Sequence, residues 1–146
     1  MGPEWLELEV TESSMLANPT RAKAVLNELS DLGLRLSIDD FGTGYSSLSY
    51  LRQLPVDEIK IDRSFVMAMG EQAGDAVIVR STVDLGRNLG LEVVAEGVET
   101  LDHWNQLRAL GCNTAQGYFL SKPVSAEQLT SWLKARPSAQ AEADAA

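Results

Sequence analysis

Five short apolar runs recur along the chain, and each ends in charged or amide side chains before a glycine-bearing turn or a helical stretch begins. The runs cover residues 6–12, 34–40, 59–62, 93–99 and 114–118. Strands that alternate with helices form parallel sheets, and a parallel sheet brings the carboxyl ends of its strands to one edge. The sequence therefore predicts an α/β fold in which polar side chains from five strands share one rim.

This predicted rim is strongly acidic. It collects Glu9, Glu12, Asp39, Asp40, Lys60, Asp62, Glu96, Glu99 and Gln116. Carboxylates brought together repel one another unless a cation neutralises them, and carboxylate oxygens are ligands for divalent cations. Strand ends can also carry solvated charge with no special role. Charge at five successive strand ends favours a metal site over that alternative.

Composition limits the classes of function. The chain has 146 residues, a net charge of −9 and one cysteine, Cys112. The length suits a single core, and the acidic balance argues against binding to DNA. A lone cysteine cannot form an internal disulfide, which favours a reducing, cytoplasmic setting. No apolar run approaches the length of a membrane span, so we expect no direct membrane segment, and any tether would lie in another domain.

Helix signals follow the apolar runs. The predicted helices begin near Asn18, Ser46, Asp75, Thr100 and Ser125, and they end near Gly33, Pro55, Leu89, Gly111 and Arg136. The last one has a capping box and is predicted to bury Leu129, Trp132 and Leu133. Residues 136–146 lack large apolar side chains and are predicted to form a disordered tail or linker.

The alternation amounts to five β-α units without an internal domain boundary. A closed β/α barrel needs eight such units and about 250 residues. Two architectures therefore stay open at this point. One is an open sheet, and the other is the C-terminal part of a barrel whose first strands lie outside the chain.

The most specific motif is the acidic pair Asp39-Asp40 with the glycine-rich loop that follows it. Successive side chains of a strand diverge, so each aspartate can offer oxygens to a different cation. Two cations about 3.5–4 Å apart are the usual arrangement for in-line attack on phosphorus. Gly42 and Gly44 allow positive φ angles and a close approach to a ligand.

Two glutamates join this motif on neighbouring strands. Glu9 would need a salt-bridge partner if its role were structural, and the nearby sequence supplies none, so we favour a metal ligand. Glu96 can be a metal ligand or the general base that takes the proton of an attacking water.

Lys60 lies in an otherwise apolar strand. Beside a metal cluster it can hold the attacking water or stabilise a phosphoryl oxygen. The alternative is a structural lysine paired with Asp62 or Glu58. Gln116, on the last strand, suits recognition of a base edge or a phosphate.

These motifs resemble those of the EAL-domain family, which are bacterial cyclic di-GMP phosphodiesterases. The matching segments are 9–13, 39–48, 59–62, 94–99, 116–118 and 121–123, in the family's order. The resemblance implies a TIM-like (β/α) barrel of which this chain holds the last five β-α units. It assigns residues 1–135 to that domain and 136–146 to a tail.

The resemblance also implies chemistry: hydrolysis of cyclic di-GMP to linear pGpG with two Mg²⁺ or Mn²⁺ ions per complete site, inhibited by Ca²⁺. The implied metal ligands are Glu9, Asp39, Asp40 and Glu96; the catalytic residues are Lys60 and Glu96; the substrate-binding residues are Asp62 and Gln116; and the loop-positioning residues are Glu12, Gly42, Thr43 and Gly44. Family members couple dimerisation to activity through that loop, which implies a homodimer or higher self-association.

The sequence departs from the family at its start. It contains no Glu-Ala-Leu tripeptide, and an asparagine ligand from another early strand is missing. We therefore expect the fragment to be inactive or weak, and to self-associate through exposed sheet edges. If it were active, Glu7 or Glu99 would be the first candidate for a replacement ligand. A non-catalytic cyclic di-GMP receptor or protein-interaction module is the alternative function.

Overall fold

The structure, a computed structural model, describes residues 2–44, 48–70 and 73–135. Its strands are β1 (Glu7–Thr11), β2 (Arg35–Phe41), β3 (Glu58–Ile61), β4 (Glu92–Ala95) and β5 (Thr114–Ala115). Its helices are α1 (Glu12–Ala17), α2 (Pro19–Asp31), α3 (Leu48–Leu51), α4 (Arg63–Ala68), α5 (Ala73–Leu89), α6 (Leu101–Leu110) and α7 (Ala126–Ala135), and a 3-10 turn at Pro3–Trp5 precedes them. The predicted helix start at Ser46 and the predicted tail at 136–146 lie outside the described residues.

All five strands are parallel, and they stand side by side in chain order. This order is the one that a β/α barrel requires, because each helix returns the chain to the next strand in the same direction. In the register, Glu9 lies opposite Ser37, Ser37 opposite Glu58, and Glu58 opposite Glu92. Residues in register share a face of the sheet, so these four side chains form one polar row.

The apolar core lies on the other face, between the sheet and the helices. It contains two clusters: one around Leu36, Ile38 and Ile59, and a second around Ile61 and Val93. These strand residues alternate with the polar ones, as the period of two requires. One face of the sheet is thus anchored by helices, and the other is left polar. No helix among the described residues is long and apolar enough to cross a membrane.

Local signals set the helix ends as predicted. The Asn18 side chain accepts a hydrogen bond from the Arg21 amide at 3.1 Å and so caps α2. Thr100 caps α6 in the same way. Ser125 and Gln128 exchange backbone and side-chain hydrogen bonds, which confirms the capping box before α7.

Several predicted boundaries are wrong. Glu12 is the first residue of α1 rather than a strand end, and Asp62 caps α4 rather than ending β3. Both helices are short, six residues each, so their apolar residues complete too few turns to show a helical period. The strand predicted over 93–99 ends at Ala95, and the strand predicted over 114–118 ends at Ala115. The second predicted helix, α3, ends at Leu51 rather than near Pro55.

The predicted burial of α7 is also wrong. No residue of α7 is fully buried: Trp132 is half-buried, Leu129 is 45% exposed and Leu133 is 57% exposed. An amphipathic helix buries its apolar stripe only where another element covers it. Within the described part of the chain, nothing covers these two leucines well enough to bury them.

Candidate active site

Lys60 is the centre of the polar rim. Its Nζ lies 2.6 Å from Oε1 of Glu9, 2.6 Å from Oε1 of Glu96 and 3.8 Å from Oδ1 of Asp39. The lysine side chain is buried, at 8% exposure. Burial lowers the pKa of Lys60, but the hydrogen bonds to Glu9 and Glu96 outweigh it and leave the pKa above its ordinary value. The ammonium is therefore charged at neutral pH, and it neutralises part of the carboxylate charge around it.

These contacts correct two interpretations from the sequence. The structural alternative for Lys60 named Asp62 or Glu58 as its partner, whereas its ion pairs go to Glu9, Asp39 and Glu96. For Glu9 no nearby partner is apparent in the sequence, and the structure supplies Lys60 from 51 residues away.

The acidic pair sits at a bend in β2. The pairing of β2 with β3 is irregular between Ile38 and Phe41, and Asp40 has a positive φ of 55°. Asp39 Oδ1 accepts a hydrogen bond from the Asp40 amide at 3.0 Å. Burial, the charge of Asp39 and the charge of Asp62 together raise the pKa of Asp40. Aspartate tolerates the left-handed conformation better than most residues, but the position is still strained.

Glu12 holds the loop that follows the acidic pair. Its side chain is buried, and Oε2 accepts hydrogen bonds from the amides of Gly42 and Gly44, each at 3.1 Å. Gly42 has a φ of 99°, which favours glycine. The Thr43 hydroxyl donates to the carbonyl of Asp40 at 2.8 Å. The loop is thus tied both to α1 and to the acidic pair itself.

The remaining predicted site residues lie in the neighbouring loops. Asp62 faces Asp40, and its carboxylate accepts hydrogen bonds from the amide and the hydroxyl of Ser64. Gln116 pairs through its backbone with Ala95, while the residue itself is exposed. Glu99 is exposed in the loop after β4. The rim therefore gathers most of the predicted residues, with Gln116 and Glu99 at its open side.

Two glycines that the sequence analysis missed set the positions of rim residues. A side chain on Gly97 would meet Cβ of Arg63 at 2.5 Å, and one on Gly117 would overlap the backbone of Val98. Each glycine directly follows a candidate site residue, Glu96 or Gln116. That adjacency was the available signal, because a glycine after a functional residue often marks a close backbone approach.

The carboxylates of the rim are not arranged as a preformed metal site. Among residues 2–44, 48–70 and 73–135, no group of three or more Asp, Glu, His or Cys side chains is placed to hold a metal ion as they stand. Three carboxylates instead meet one ammonium. Their oxygens are hard donors of the kind that Mg²⁺ and Mn²⁺ prefer. The crowding that raises the pKa of Asp40 is also what a cation would relieve, so the donor chemistry fits divalent cations.

Comparison with known sequences extends these findings. The EAL domain profile matches residues 1–123. A bifunctional diguanylate cyclase/cyclic di-GMP phosphodiesterase, MucR of Pseudomonas aeruginosa, is 50% identical over 127 residues, which are 87% of this chain and 18% of MucR. The cyclic di-GMP phosphodiesterase NbdA of the same organism is 46% identical over 131 residues, 90% of this chain and 17% of NbdA.

Solved structures agree. The PaMucR phosphodiesterase in complex with c-di-GMP superposes with a TM-score of 0.86 at 50% identity, covering 88% of this chain and 52% of that one. The manganese/cy-diGMP complex of Klebsiella pneumoniae BlrP1 has a TM-score of 0.75 at 39% identity, covering 82% of this chain and 30% of that one.

The chain thus spans about half of the PaMucR structure and less than a fifth of the MucR sequence. The five-stranded parallel sheet with its helices is a partial TIM-like (β/α) barrel, as predicted. With a profile match over most of its length, the chain belongs to the EAL domain family.

Proposed function

We propose that this chain is part of a metal-dependent phosphodiesterase that hydrolyses cyclic di-GMP to linear pGpG. The observation that carries the proposal is the convergence of Glu9, Asp39 and Glu96 on Lys60 at the carboxyl edge of a parallel sheet. Relatives of the same family are named as cyclic di-GMP phosphodiesterases, which supports the choice of substrate.

Two Mg²⁺ or Mn²⁺ ions, when bound, would neutralise the phosphodiester and make an attacking water more acidic, and Ca²⁺ would compete for the same oxygens. Glu9, Asp39, Asp40 and Glu96 would hold them. Lys60 has hydrogen-bond capacity beyond its carboxylate contacts and would orient the water or a phosphoryl oxygen. Glu96, 2.6 Å from Lys60, would accept the proton that the water loses.

Three further residues would serve the substrate and the loop. Gln116, exposed beside the rim, would bind a guanine edge or a phosphate oxygen, and Asp62 would contact the substrate next to Asp40. Glu12 would keep the loop after Asp40 in one conformation, because it holds two of the loop amides. Glu99 remains a weaker candidate for metal binding.

The isolated chain would hydrolyse weakly or not at all. Its sheet has five strands, whereas a closed barrel has eight. No group of three metal ligands is preassembled among the described residues. Ligands from further strands would complete the site, and in the cell we place the protein in the cytoplasm.

The test is incubation with cyclic di-GMP and either Mg²⁺ or Mn²⁺, followed by chromatography for pGpG. The 146-residue chain is compared with a longer form that supplies eight strands, each as the parent, E96Q and E28Q. Glu28 is exposed on α2, so E28Q is a matched control. We expect pGpG from the longer parent and its E28Q form only. If the longer parent gave no product, the proposed hydrolysis would be contradicted. If the 146-residue chain turned over fully, the proposal that the isolated chain is impaired would be contradicted.

A non-catalytic receptor for cyclic di-GMP is the second candidate. The absence of a preassembled three-ligand group in the described part of the chain favours it for the isolated fragment. Calorimetry with cyclic di-GMP in Ca²⁺ separates the two functions, since it measures binding without turnover. Binding in Ca²⁺ by the longer, eight-stranded form, with no product from that form in Mn²⁺, identifies a receptor.

We also propose that the chain self-associates. In the described sheet β1 and β5 each have one neighbour, which leaves one edge of each strand unpaired. Leu129 and Leu133 add exposed apolar surface on α7. Light scattering should give a mass of at least a dimer, and a compact monomer at all concentrations would contradict the proposal.

A further inference from the structure

Two ion pairs on the polar face of the sheet join strands that are not neighbours. Lys60 on β3 reaches Glu9 on β1, and Arg35 on β2 reaches Glu92 on β4, where Nη2 and Oε2 are 2.9 Å apart. Neighbouring strands lie about 4.8 Å apart, so strands two places apart are separated by about 9.6 Å in a flat sheet. Each ion pair therefore spans one intervening strand and resists flattening of the sheet.

Arg35 forms ion pairs with carboxylates from three strands, at the end of the sheet opposite the rim. Besides Glu92, its Nε lies 3.5 Å from Oε2 of Glu7 on β1, and its Nη2 lies 3.9 Å from Oε2 of Glu58 on β3. The pKa of Arg35 is raised above its ordinary value, mainly by Glu92 and in smaller part by the charges of Glu7 and of Asp57, which lies just before β3. We call Glu7, Arg35, Glu58 and Glu92 the floor cluster. A single guanidinium thus holds the starts of β1, β3 and β4 to β2.

The floor cluster lies directly below the rim. Glu58 and Lys60 are two residues apart on β3 and therefore share a face. Ser37 lies in register between Glu9 and Glu58. It is fully buried, and among the described residues its hydroxyl has no hydrogen-bond partner. Ser37 is thus the small side chain that separates Glu9 from Glu58 in the register row. Lys60 follows Glu58 by two residues, so a shift of β3 relative to β1 at the floor cluster also moves Lys60 relative to Glu9.

We propose that Arg35 is a positioning residue for the rim, and that the charge of the buried Glu58 carboxyl group, 3.9 Å from the Arg35 guanidinium, controls how firmly Arg35 holds the strands together. Arg35 touches none of the rim carboxylates and acts through the curvature of the sheet. Its effect on catalysis rests on the proposed phosphodiesterase function, whereas its effect on the geometry at Lys60 does not.

The charged groups around Glu58 explain how it could change the grip of Arg35 on the strands. They are Glu7 on β1, Arg35 on β2 and Glu92 on β4, with Asp57 just before β3 and Lys60 two residues further along β3. Burial first, and then Glu7, raise the pKa of Glu58 to about 7. Its acid form donates a hydrogen bond to Glu7. When Glu58 loses its proton, three carboxylates of the cluster surround one guanidinium, and repulsion pushes the starts of β1, β3 and β4 apart.

The test observes the rim directly, without metal or nucleotide. The Lys60 ammonium is buried and hydrogen-bonded to two carboxylates, so its protons should exchange slowly enough to give an ¹⁵N–¹H signal in the labelled 146-residue protein. We expect this signal to move between pH 6 and pH 8.5 with a midpoint near 7 in the parent. It should stay constant in E58Q, and in R35M it should be shifted or broadened at every pH.

Two control variants each remove one charge of the same kind from another part of the surface. E28Q removes an exposed carboxylate from α2, and R80M removes an exposed guanidinium from α5; both should behave like the parent. If R35M does not fold, E92Q makes the same comparison, because it weakens the shortest contact of Arg35 from a side chain that is 55% exposed.

Three results would overturn the proposal. They are a Lys60 signal that neither R35M nor E92Q changes, a pH response in E58Q equal to that of the parent, or no slow-exchanging ammonium signal in the parent at pH 6. Mn²⁺ affinity, measured in parallel, should fall in R35M and stay unchanged in R80M. Because the ammonium signal requires neither ligand nor turnover, failure of the proposed hydrolysis would leave this test intact.

Discussion

The ammonium of Lys60 lies 2.6 Å from a carboxylate oxygen of Glu9, although the two residues are 51 positions apart in the chain. The lysine side chain is 8% exposed and the glutamate side chain is 50% exposed. The ammonium of Lys60 is therefore much less accessible to water than the carboxylate of Glu9. A cation held in this way depends on its carboxylates, and the carboxylates depend on it for neutralisation.

Replacing Lys60 should expose that dependence. K60M leaves Glu9, Asp39 and Glu96 without their shared cation, and we expect a loss of about 1–3 kcal/mol in the free energy of unfolding at pH 7. Breaking a fully buried pair costs about 3–5 kcal/mol, and the half-exposed Glu9 reduces that value. Added Mn²⁺ should restore part of the loss, since a ligand that binds only the folded state stabilises it.

Urea denaturation with and without Mn²⁺ measures both effects. K134M, which removes an exposed lysine from α7, is the control. Equal stability of the two variants in the absence of metal would show that the carboxylates do not need Lys60.

Glu12 should be important for the loop after the acidic pair. E12A leaves the amides of Gly42 and Gly44 without their acceptor, at a cost of about 2–4 kcal/mol in stability. E12Q keeps one acceptor oxygen and should lose about half as much. Hydrogen exchange should quicken at the two glycine amides in E12A and not in E28A. Unchanged protection of these amides would rule out the loop-positioning role.

The strain at Asp40 predicts a trade between stability and function. Its φ is 55°, and burial together with Asp39 and Asp62 raises the pKa of its carboxyl group. D40N removes the repulsion and supplies a side chain that favours the left-handed conformation. We expect a gain of about 0.5–2 kcal/mol in stability, with weaker Mn²⁺ binding.

D39N is the informative comparison for that variant. Asp39 lies 3.8 Å from the Lys60 ammonium and accepts a hydrogen bond from the Asp40 amide, so its carboxylate has partners in the folded state that D39N would weaken. D39N should therefore lower the thermal midpoint while D40N raises it. A fall of similar size in both variants would contradict the assignment of strain to Asp40.

The pKa of Glu58 predicts how stability varies with pH. It rises from 4.5 to about 7 on folding because of burial and the nearby charge of Glu7. Between these values the folded state holds a proton that the unfolded state has lost, so stability falls as pH rises through this window. The full shift corresponds to at most about 3 kcal/mol.

E58Q should remove this component. The difference in unfolding free energy between the parent and E58Q is expected to change from pH 4.5 to pH 7.5 and then to level off. E28Q should track the parent at each pH. A difference between the parent and E58Q that stays level over this window would mean that folding does not raise the pKa of Glu58.

Local patterns account for what the sequence predicted well. Asn18 and Thr100 cap their helices through bonds that reach only three residues ahead, and alternation along β2 and β3 fixes which side chains face the rim. Contacts between distant residues account for the failures. The carboxylate partner of Lys60 on β1, Glu9, comes from 51 residues away. The stripe on α7 is apolar in sequence, but its burial depends on a covering element that the pattern does not contain.

Gly117 and Gly74 look alike in sequence but should respond in opposite ways to replacement by alanine. Gly117 follows Gln116, and a methyl group there would overlap the carbonyl and amide of Val98, which are backbone atoms that cannot turn aside. We expect G117A to cost about 3 kcal/mol or more and to displace Gln116. Under the proposed function this displacement should weaken the binding of cyclic di-GMP. Gly74, inside α5, has no atom within 4 Å of the same added carbon. G74A should instead stabilise the protein by about 0.5–1 kcal/mol, because alanine loses less backbone entropy in a helix. Thermal unfolding and nucleotide calorimetry of both variants measure the contrast, and a G117A protein as stable as G74A would show that the loops of β4 and β5 do not pack as closely as the structure has them.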